Sequence, residues 1–311
     1  MKQLTTLNGS PAGRFAFGTM QFGGRADETQ SRAMFEDCRA AGIVHFDTAY
    51  LYTGGASETL LGQFIKNDRE SLFVATKVAY AGGATRENMT AQLDVCRQRL
   101  DVDTVDALYL HKFDAQTDMR DTMQALAEFR DKGWIRHVGV SNFAAWQVVD
   151  AVWTAREFDL RIDLLQPMYS LVKRQAEVEL LPMAAKHGIT VASYSPLGGG
   201  LLSGKYGRGG QGRLTEDERY AARYGQDWMQ QTAVDLCAVA DELGVHPATL
   251  AVAWVAQHAT GPVPILSARD TEQLAPSLAA LAFDMDAGLY ERLSRLSPTP
   301  PPATDRLEEQ Q

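Results

Sequence analysis

Four side chains in the first third of the chain have the types needed to share one reaction. Asp47 ends the short apolar run Ile43 to Phe46, which reads as a buried strand. Tyr52 follows in a turn containing Gly54 and Gly55. Lys77 closes the apolar segment "SLFVATK", and His111 closes "VDALYLH". A phenol titrates near pH 10 when unperturbed, at about 10. A neighbouring ammonium lowers that value and lets the phenol work as an acid and base. Asp47 is suited to hold Lys77 protonated, and Lys77 to lie against the Tyr52 hydroxyl and depress its pKa. His111 offers a neutral N–H to orient a carbonyl oxygen. The set reads as a proton donor facing an electrophilic carbonyl, which suits reduction by a hydride donor. Each residue alone has a plainer reading. Lys77 could be a solvated cap, Tyr52 half-buried packing, Asp47 a turn cap and His111 a histidine with satisfied hydrogen bonds. Four complementary groups at three matching strand ends favour chemistry.

The elements that must carry these residues alternate. Residues 1–18 read as a hairpin: "KQLTTL", a turn at Asn8-Gly9-Ser10-Pro11, then "RFAFG". "ETQSRAMFEDCRAAG" is a helix stopped by Gly42, and Leu60, Leu61 and Phe64 mark the next helix. From there short apolar strands and helices alternate as far as "ITVASYS". Polar residues close the strands at Asp47, Lys77, His111, Ser141-Asn142, Gln166 and Tyr194-Ser195. Eight such units in roughly 250 residues is the arithmetic of a (β/α)8 TIM barrel. A doubly wound open sheet gives similar alternation with fewer units. The barrel explains better why so many strand ends carry chemistry, because all of them face one mouth. A Gly-rich loop is expected to about residue 225, followed by two helices, a last strand near "PVPIL", and extra C-terminal helices. The expectation is one barrel domain over 1–297 and a disordered, Pro-rich tail over 298–311.

Composition narrows the function. The 311 residues are 45% hydrophobic with a formal charge of −9, and no basic block suggests nucleic acid. No apolar run reaches membrane-spanning length, and "MKQLTTLNGS" lacks the apolar core of a secretion signal. Cys38, Cys96 and Cys237 fall inside predicted helices without C-x-x-C spacing and read as reduced packing residues of a cytoplasmic protein. The six histidines show no metal-ligand spacing, so no metal is expected.

The strings "FDTAYLY", "ATK", "LYLHKFD", "VGVSNF", "LLQPMYSL" and "YSPLGGGLLSGKY", in that order, resemble the aldo-keto reductase superfamily from about Gly18 to Leu281. The resemblance implies the same barrel with an N-terminal hairpin plug. It makes Asp47, Tyr52, Lys77 and His111 a catalytic tetrad with Tyr52 as general acid. It also implies an extended nicotinamide dinucleotide, NADPH with NADH as the alternative. Thr19 joins the cofactor contacts, Ser141, Asn142 and Gln166 hold the carboxamide, and Tyr194 stacks on the ring. Ser195, Leu197, Gly200, Leu202 and Lys205 wrap the pyrophosphate. Ser267, Arg269 and Gln273 meet the adenosine 2′-phosphate, where an Arg fork favours NADPH. The chain departs from the pattern at Ser267, where many relatives have Gly. It departs again at Pro276-Ser277, where relatives carry an acidic residue and an Asn that faces adenine. Gly207, Gly209 and Gly212 fit G-x-G-x-x-G, but no strand leads into them. They read as a mobile loop covering the cofactor. Met20, Phe22, Tyr80 and Phe113 are candidates for an apolar pocket that receives a small carbonyl substrate. The expected activity is reduction of aldehydes or ketones. The alternatives are an NAD-dependent sugar or alcohol dehydrogenase of the same fold, and an NADPH-binding redox-sensing subunit like the superfamily's potassium-channel β subunits. Oligomeric state is not legible.

Overall fold

A computed structural model describes residues 4–309, the side chains of Arg208 and Glu309 excepted. Residues 1–3 of the expected hairpin and the last two of the tail lie outside it. Eight parallel strands close into a barrel in chain order, β8 pairing back onto β1. They are β1 Ala16–Gly18, β2 His45–Asp47, β3 Phe73–Val78, β4 Val105–Leu110, β5 Ile135–Ser141, β6 Leu164–Gln166, β7 Thr190–Ser193 and β8 Val263–Leu266. Between β1 and β7 run α1 Glu28–Ala40, α2 Ala56–Ile65, α3 Arg86–Leu100, α4 Met119–Asp131, α5 Ala145–Ala155 and α6 Leu180–His187. Four helices separate β7 from β8: α7 Arg213–Glu216, α8 Glu218–Tyr224, α9 Asp227–Leu243 and α10 Pro247–Gln257. The chain closes with α11 Thr271–Ala279 and α12 Ala287–Ser294. No single helix among the described residues is long and apolar enough to cross a membrane.

Both faces of the strands are covered, which is why they read as apolar runs without alternation. One buried cluster fills the barrel interior: Leu4, Ala12, Phe73, Ala75, Ala107, Tyr109 and Leu164. The larger cluster includes the outward strand residues Phe46, Val74, Leu108 and Val140 with the helices around them. Register decides which side chains reach the mouth. Lys77 pairs across to Tyr109 and Tyr109 to Gly139, so all three sit at one level inside the barrel. A Cβ on Gly139 would lie 2.4 Å from the Tyr109 ring. The missing side chain makes room for that ring beneath Lys77.

Two expectations need correction. The predicted hairpin contracts to a single antiparallel bridge, Thr5 to Pro11. "AFG" from its second strand is instead β1, because its backbone is taken by β2 on one side and β8 on the other. This is also the strand that completes the count of eight. The Gly-rich stretch after β7 is not a plain loop, since it contains α7 and α8. Asp217 caps α8 by accepting from the Arg219 N–H, and the fully buried Tyr224 anchors it. Both helices are short and mostly polar, so they carry no apolar period for the sequence to show.

An ionic network seals the floor. Asp106 is fully buried and accepts from the Val74 N–H at 2.9 Å, from Arg69 at 2.7 Å and from Arg136. Arg136 also donates to the Thr5 carbonyl at 2.7 Å, tying the N-terminal segment across the barrel. Removing one partner of such a cluster leaves buried charge uncompensated. Asp106→Ala is expected to lower unfolding stability by about 3 kcal/mol, read as a drop in the urea midpoint at unchanged slope.

Candidate active site

At the C-terminal mouth, β2 and β3 present an ion pair with almost no solvent contact. Asp47 is 3% exposed and Lys77 0%. The Lys77 Nζ donates to Asp47 Oδ1 and, at 2.7 Å, to the Thr48 carbonyl. The other carboxylate oxygen accepts from Gln166 Nε2 at 2.9 Å, a reach across the barrel from β6. Burial disfavours the Lys77 ammonium, yet the facing Asp47 and Tyr52 outweigh it and its pKa is raised. The ammonium is therefore held charged.

Tyr52 lies on the turn after β2, with Lys77 Nζ 5.2 Å from its ring centroid and the His111 ring edge-on at 5.9 Å. The expected depression of its pKa does not occur. Burial raises it, Lys77 pulls it down, and Asp47 cancels part of that pull. The resting group is a neutral phenol, which is the form that donates a proton. His111 is pushed down to about 3 by burial and by the Lys77 charge, so its imidazole is neutral. Its Nδ1 is buried without a hydrogen-bond partner among the described residues.

The turn carrying Tyr52 is held from behind by a second buried charge. Glu58, fully buried at the start of α2, accepts from Thr76 Oγ1 at 2.6 Å and from Arg99 Nη1 at 3.1 Å. Arg99 also donates to the Tyr50 carbonyl at 2.8 Å and packs on the Tyr50 ring. Thr76 adjoins Lys77 in the chain. The network thus links the strand bearing the ammonium to the turn bearing the phenol.

A cleft of about 830 Å³ runs from Asp47, Tyr52 and His111 to Ser267, Arg269 and Gln273. Ser141, Asn142, Gln166, Tyr194, Ser195, Leu197, Gly200 and Lys205 line it between. Its polar groups are pre-oriented. Asn142 Nδ2 donates to the His111 carbonyl at 2.9 Å, and the Tyr194 hydroxyl to Asn142 Oδ1 at 2.7 Å. Ser141 Oγ donates to the Gln166 carbonyl at 3.0 Å. Thr53, Ala79, Asn142 and Ser195 all have positive φ just beyond strands of this mouth. Such strained non-glycine backbone costs about 1–3 kcal/mol each and concentrates at functional sites. At the far end the Ser267 hydroxyl is buried without a partner among the described residues. Arg269 pairs with Asp270 at 3.0 Å.

The model of the aldo/keto reductase family matches residues 14–297, nearly the whole chain. This chain belongs to the aldo/keto reductase family. A probable voltage-gated potassium channel β subunit of Arabidopsis thaliana is 31% identical over 88% of this chain and 89% of its own length. An uncharacterized oxidoreductase of Bacillus subtilis is 30% identical over 92% of this chain and 93% of its own. Aflatoxin B1 aldehyde reductase member 2 of Rattus norvegicus is 30% identical over 85% and 78%.

Within this aldo/keto reductase, five expected site residues do not line the cleft, and one of them, the fully buried Lys77, lies behind Asp47 and Tyr52, which do. Phe22 is fully buried with its ring against Phe17 and Phe64, so it is core and not pocket. Phe113 packs outward on Phe143 and Trp146. Thr19 is buried beneath the mouth, its hydroxyl 2.8 Å from Ser57 Oγ. The Leu202 side chain lies in the core. Met20 and Tyr80 do line the cleft. Sequence reasoning missed Arg25, Lys112, Arg213, Tyr220 and Arg223, which also line it. Lys112 beside His111 was the one with a signal, a cation adjoining a candidate site residue. Arg213, Tyr220 and Arg223 needed the fold of α7 and α8, and Arg25 its pairing with Glu216 of α7.

The histidine state has a thermodynamic consequence. The unfolded chain protonates His111 below about 6.5, whereas the folded chain resists until about 3. The unfolded state then binds the extra proton, so stability falls as pH drops through this window. One such group accounts for about 2 kcal/mol between pH 6.5 and pH 5. Urea unfolding of His111→Gln at those two pH values is expected to show a smaller loss than wild type by roughly that amount.

Proposed function

We propose that this protein reduces aldehydes or ketones to alcohols with a nicotinamide dinucleotide, NADPH in preference to NADH, and with Tyr52 as proton donor. The observation that carries this reading is a neutral phenol beside a buried, charged lysine at one end of a long polar cleft. The residues present fit the cofactor. Ser141, Asn142 and Gln166 would hold the carboxamide, and Tyr194 would stack on the ring. Ser195, Leu197, Gly200 and Lys205 would wrap the pyrophosphate, with Arg213 adding charge. The unpartnered Ser267 hydroxyl, Arg269 and Gln273 would take the adenosine phosphate. When bound, the reduced nicotinamide supplies the two electrons that a carbonyl carbon accepts.

The chain's own residues do the rest. His111, neutral, orients the carbonyl oxygen toward Tyr52. The phenol gives its proton to that oxygen, and Lys77, fixed by Asp47, stabilises the phenolate left behind. Because Lys77 acts on the phenolate more than on the phenol, its effect grows along the reaction.

One observation favours NADH as a second cofactor: Asp270 already neutralises Arg269, and Glu272 lines the same end of the cleft. The plant relatives named as channel β subunits support a second reading, a nucleotide-binding subunit that docks on a partner. Turnover separates it from the first. Tyr52→Phe is expected to lower kcat for aldehyde-dependent NADPH oxidation about 10³-fold, while NADPH binding, followed by fluorescence, stays within threefold of wild type. Wild-type protein that binds NADPH but fails to oxidise it with any aldehyde tested would favour the subunit.

A further inference from the structure

The cleft of this acidic protein is lined by cations. Arg25 is paired with Glu216 at 2.8 Å and Arg269 with Asp270. Lys112, Lys205, Arg213 and Arg223 also line it, and none makes a salt bridge among the described residues. These four fall into two groups. Lys205 and Arg213 belong together: the charges of Arg269, Arg213 and Arg25 all bear on Lys205. That is the end where the proposed cofactor's phosphates have their counter-charge. Lys112 and Arg223 are left over, and both stand at the tetrad end.

Their placement is specific. Tyr80 is 50% exposed and turns its ring to His111 at 5.1 Å, and Lys112 Nζ lies 5.0 Å from the Tyr80 ring. Across the mouth stands α8. Its buried Tyr224 stacks on Tyr220 at 6.3 Å, and Arg223 lies 5.4 Å from the Tyr220 ring. A Cβ on Gly199 (φ +67°) would lie 2.9 Å from Tyr220, so the glycine loop is what lets α8 settle this low. Tyr220 is near enough to Tyr52 to act on its titration, and Arg219 of α8 near enough to feel Tyr80. Tyr80 and Tyr220 therefore form two aromatic walls above the phenol, Tyr80 backed by Lys112 and Tyr220 by Arg223 and also by Arg213, which lies 5.3 Å from the same ring and bridges toward Lys205.

We propose that this is a subsite for the distal anionic group of the substrate, and that the preferred substrates are carbonyl compounds bearing a carboxylate on a flat or short scaffold. The inference rests on the reductase reading above and adds the substrate class. The proposed cofactor's pyrophosphate and 2′-phosphate already have their counter-charge at Lys205, Arg213 and Arg269, which leaves Lys112 and Arg223 for a carboxylate carried by an aldehyde at Tyr52. Two partly exposed charge contacts together raise kcat/KM by about tenfold, and the attraction weakens with added salt.

The test compares 4-carboxybenzaldehyde with its neutral isostere 4-formylbenzamide, using wild type and the Lys112→Met/Arg223→Met double variant. Wild type is expected to prefer the carboxylate about tenfold in kcat/KM, mostly through KM, with the preference shrinking between 50 and 500 mM salt. The double variant is expected to treat the two alike, through loss on the carboxylate alone, and to bind NADPH as wild type does. Equal rates on both aldehydes in wild type, or a preference that survives in the double variant, would overturn the subsite while the reductase reading stands. Weakened NADPH binding in the variant would assign the two cations to the cofactor and overturn it too. Reduction of neither aldehyde would take down both proposals.

Discussion

A lysine and an aspartate buried together under the barrel mouth set the terms for the rest of the molecule. Removing two charges from water costs several kcal/mol per ion, recovered only with near-ideal geometry and full hydrogen bonding. Both conditions are met here by groups from separate elements: Asp47 on β2, Lys77 on β3, Gln166 on β6 and the Thr48 carbonyl. A one-residue slip in any of these strands turns its side chains to the opposite face. The closed barrel makes such a slip impossible without breaking its neighbours. The small interior residues Ala75, Ala107 and Gly139 follow from the same constraint, since they leave space for the Lys77 stem and the Tyr109 ring.

The electrostatics of the mouth are asymmetric in a useful way. Lys77 is charged at rest, while the two groups nearest an incoming carbonyl, Tyr52 and His111, are neutral. The neutral state of the phenol was not foreseen, because the reading from sequence counted the attraction of Lys77 and left out burial. Burial changes the role of the lysine. Lys77 does not make the resting phenol more acidic than a free one; it favours the charge that appears when the proton leaves. A second pair, the buried Glu58 with the partly exposed Arg99, keeps the phenol's turn aligned with the lysine's strand.

Most of this was legible in the chain. Polar residues closing apolar runs predicted strand ends that the structure places at Asp47, Ser141 and Gln166, with Lys77 and His111 one residue from theirs. Strand ends are easily read because a buried parallel strand is apolar up to the point where it meets solvent. What failed had no such contrast. β1 is three residues long and looked like half a hairpin. Phe22, which looked like pocket, is core, because an aromatic residue after a strand can turn either way. The cations on α7 and α8 were invisible because helices of four and seven mostly polar residues carry no apolar period to announce them, and with them the wall that Tyr220 and Arg223 form.

The central claim is that the buried ammonium acts on the phenol, and single-turnover kinetics of Lys77→Met test it most directly. With NADPH prebound and an aldehyde mixed in, the variant should still bind cofactor within threefold of wild type. Its single-turnover rate of NADPH oxidation should fall at least 10²-fold. A folded variant that oxidises bound NADPH within twofold of the wild-type rate would contradict the account.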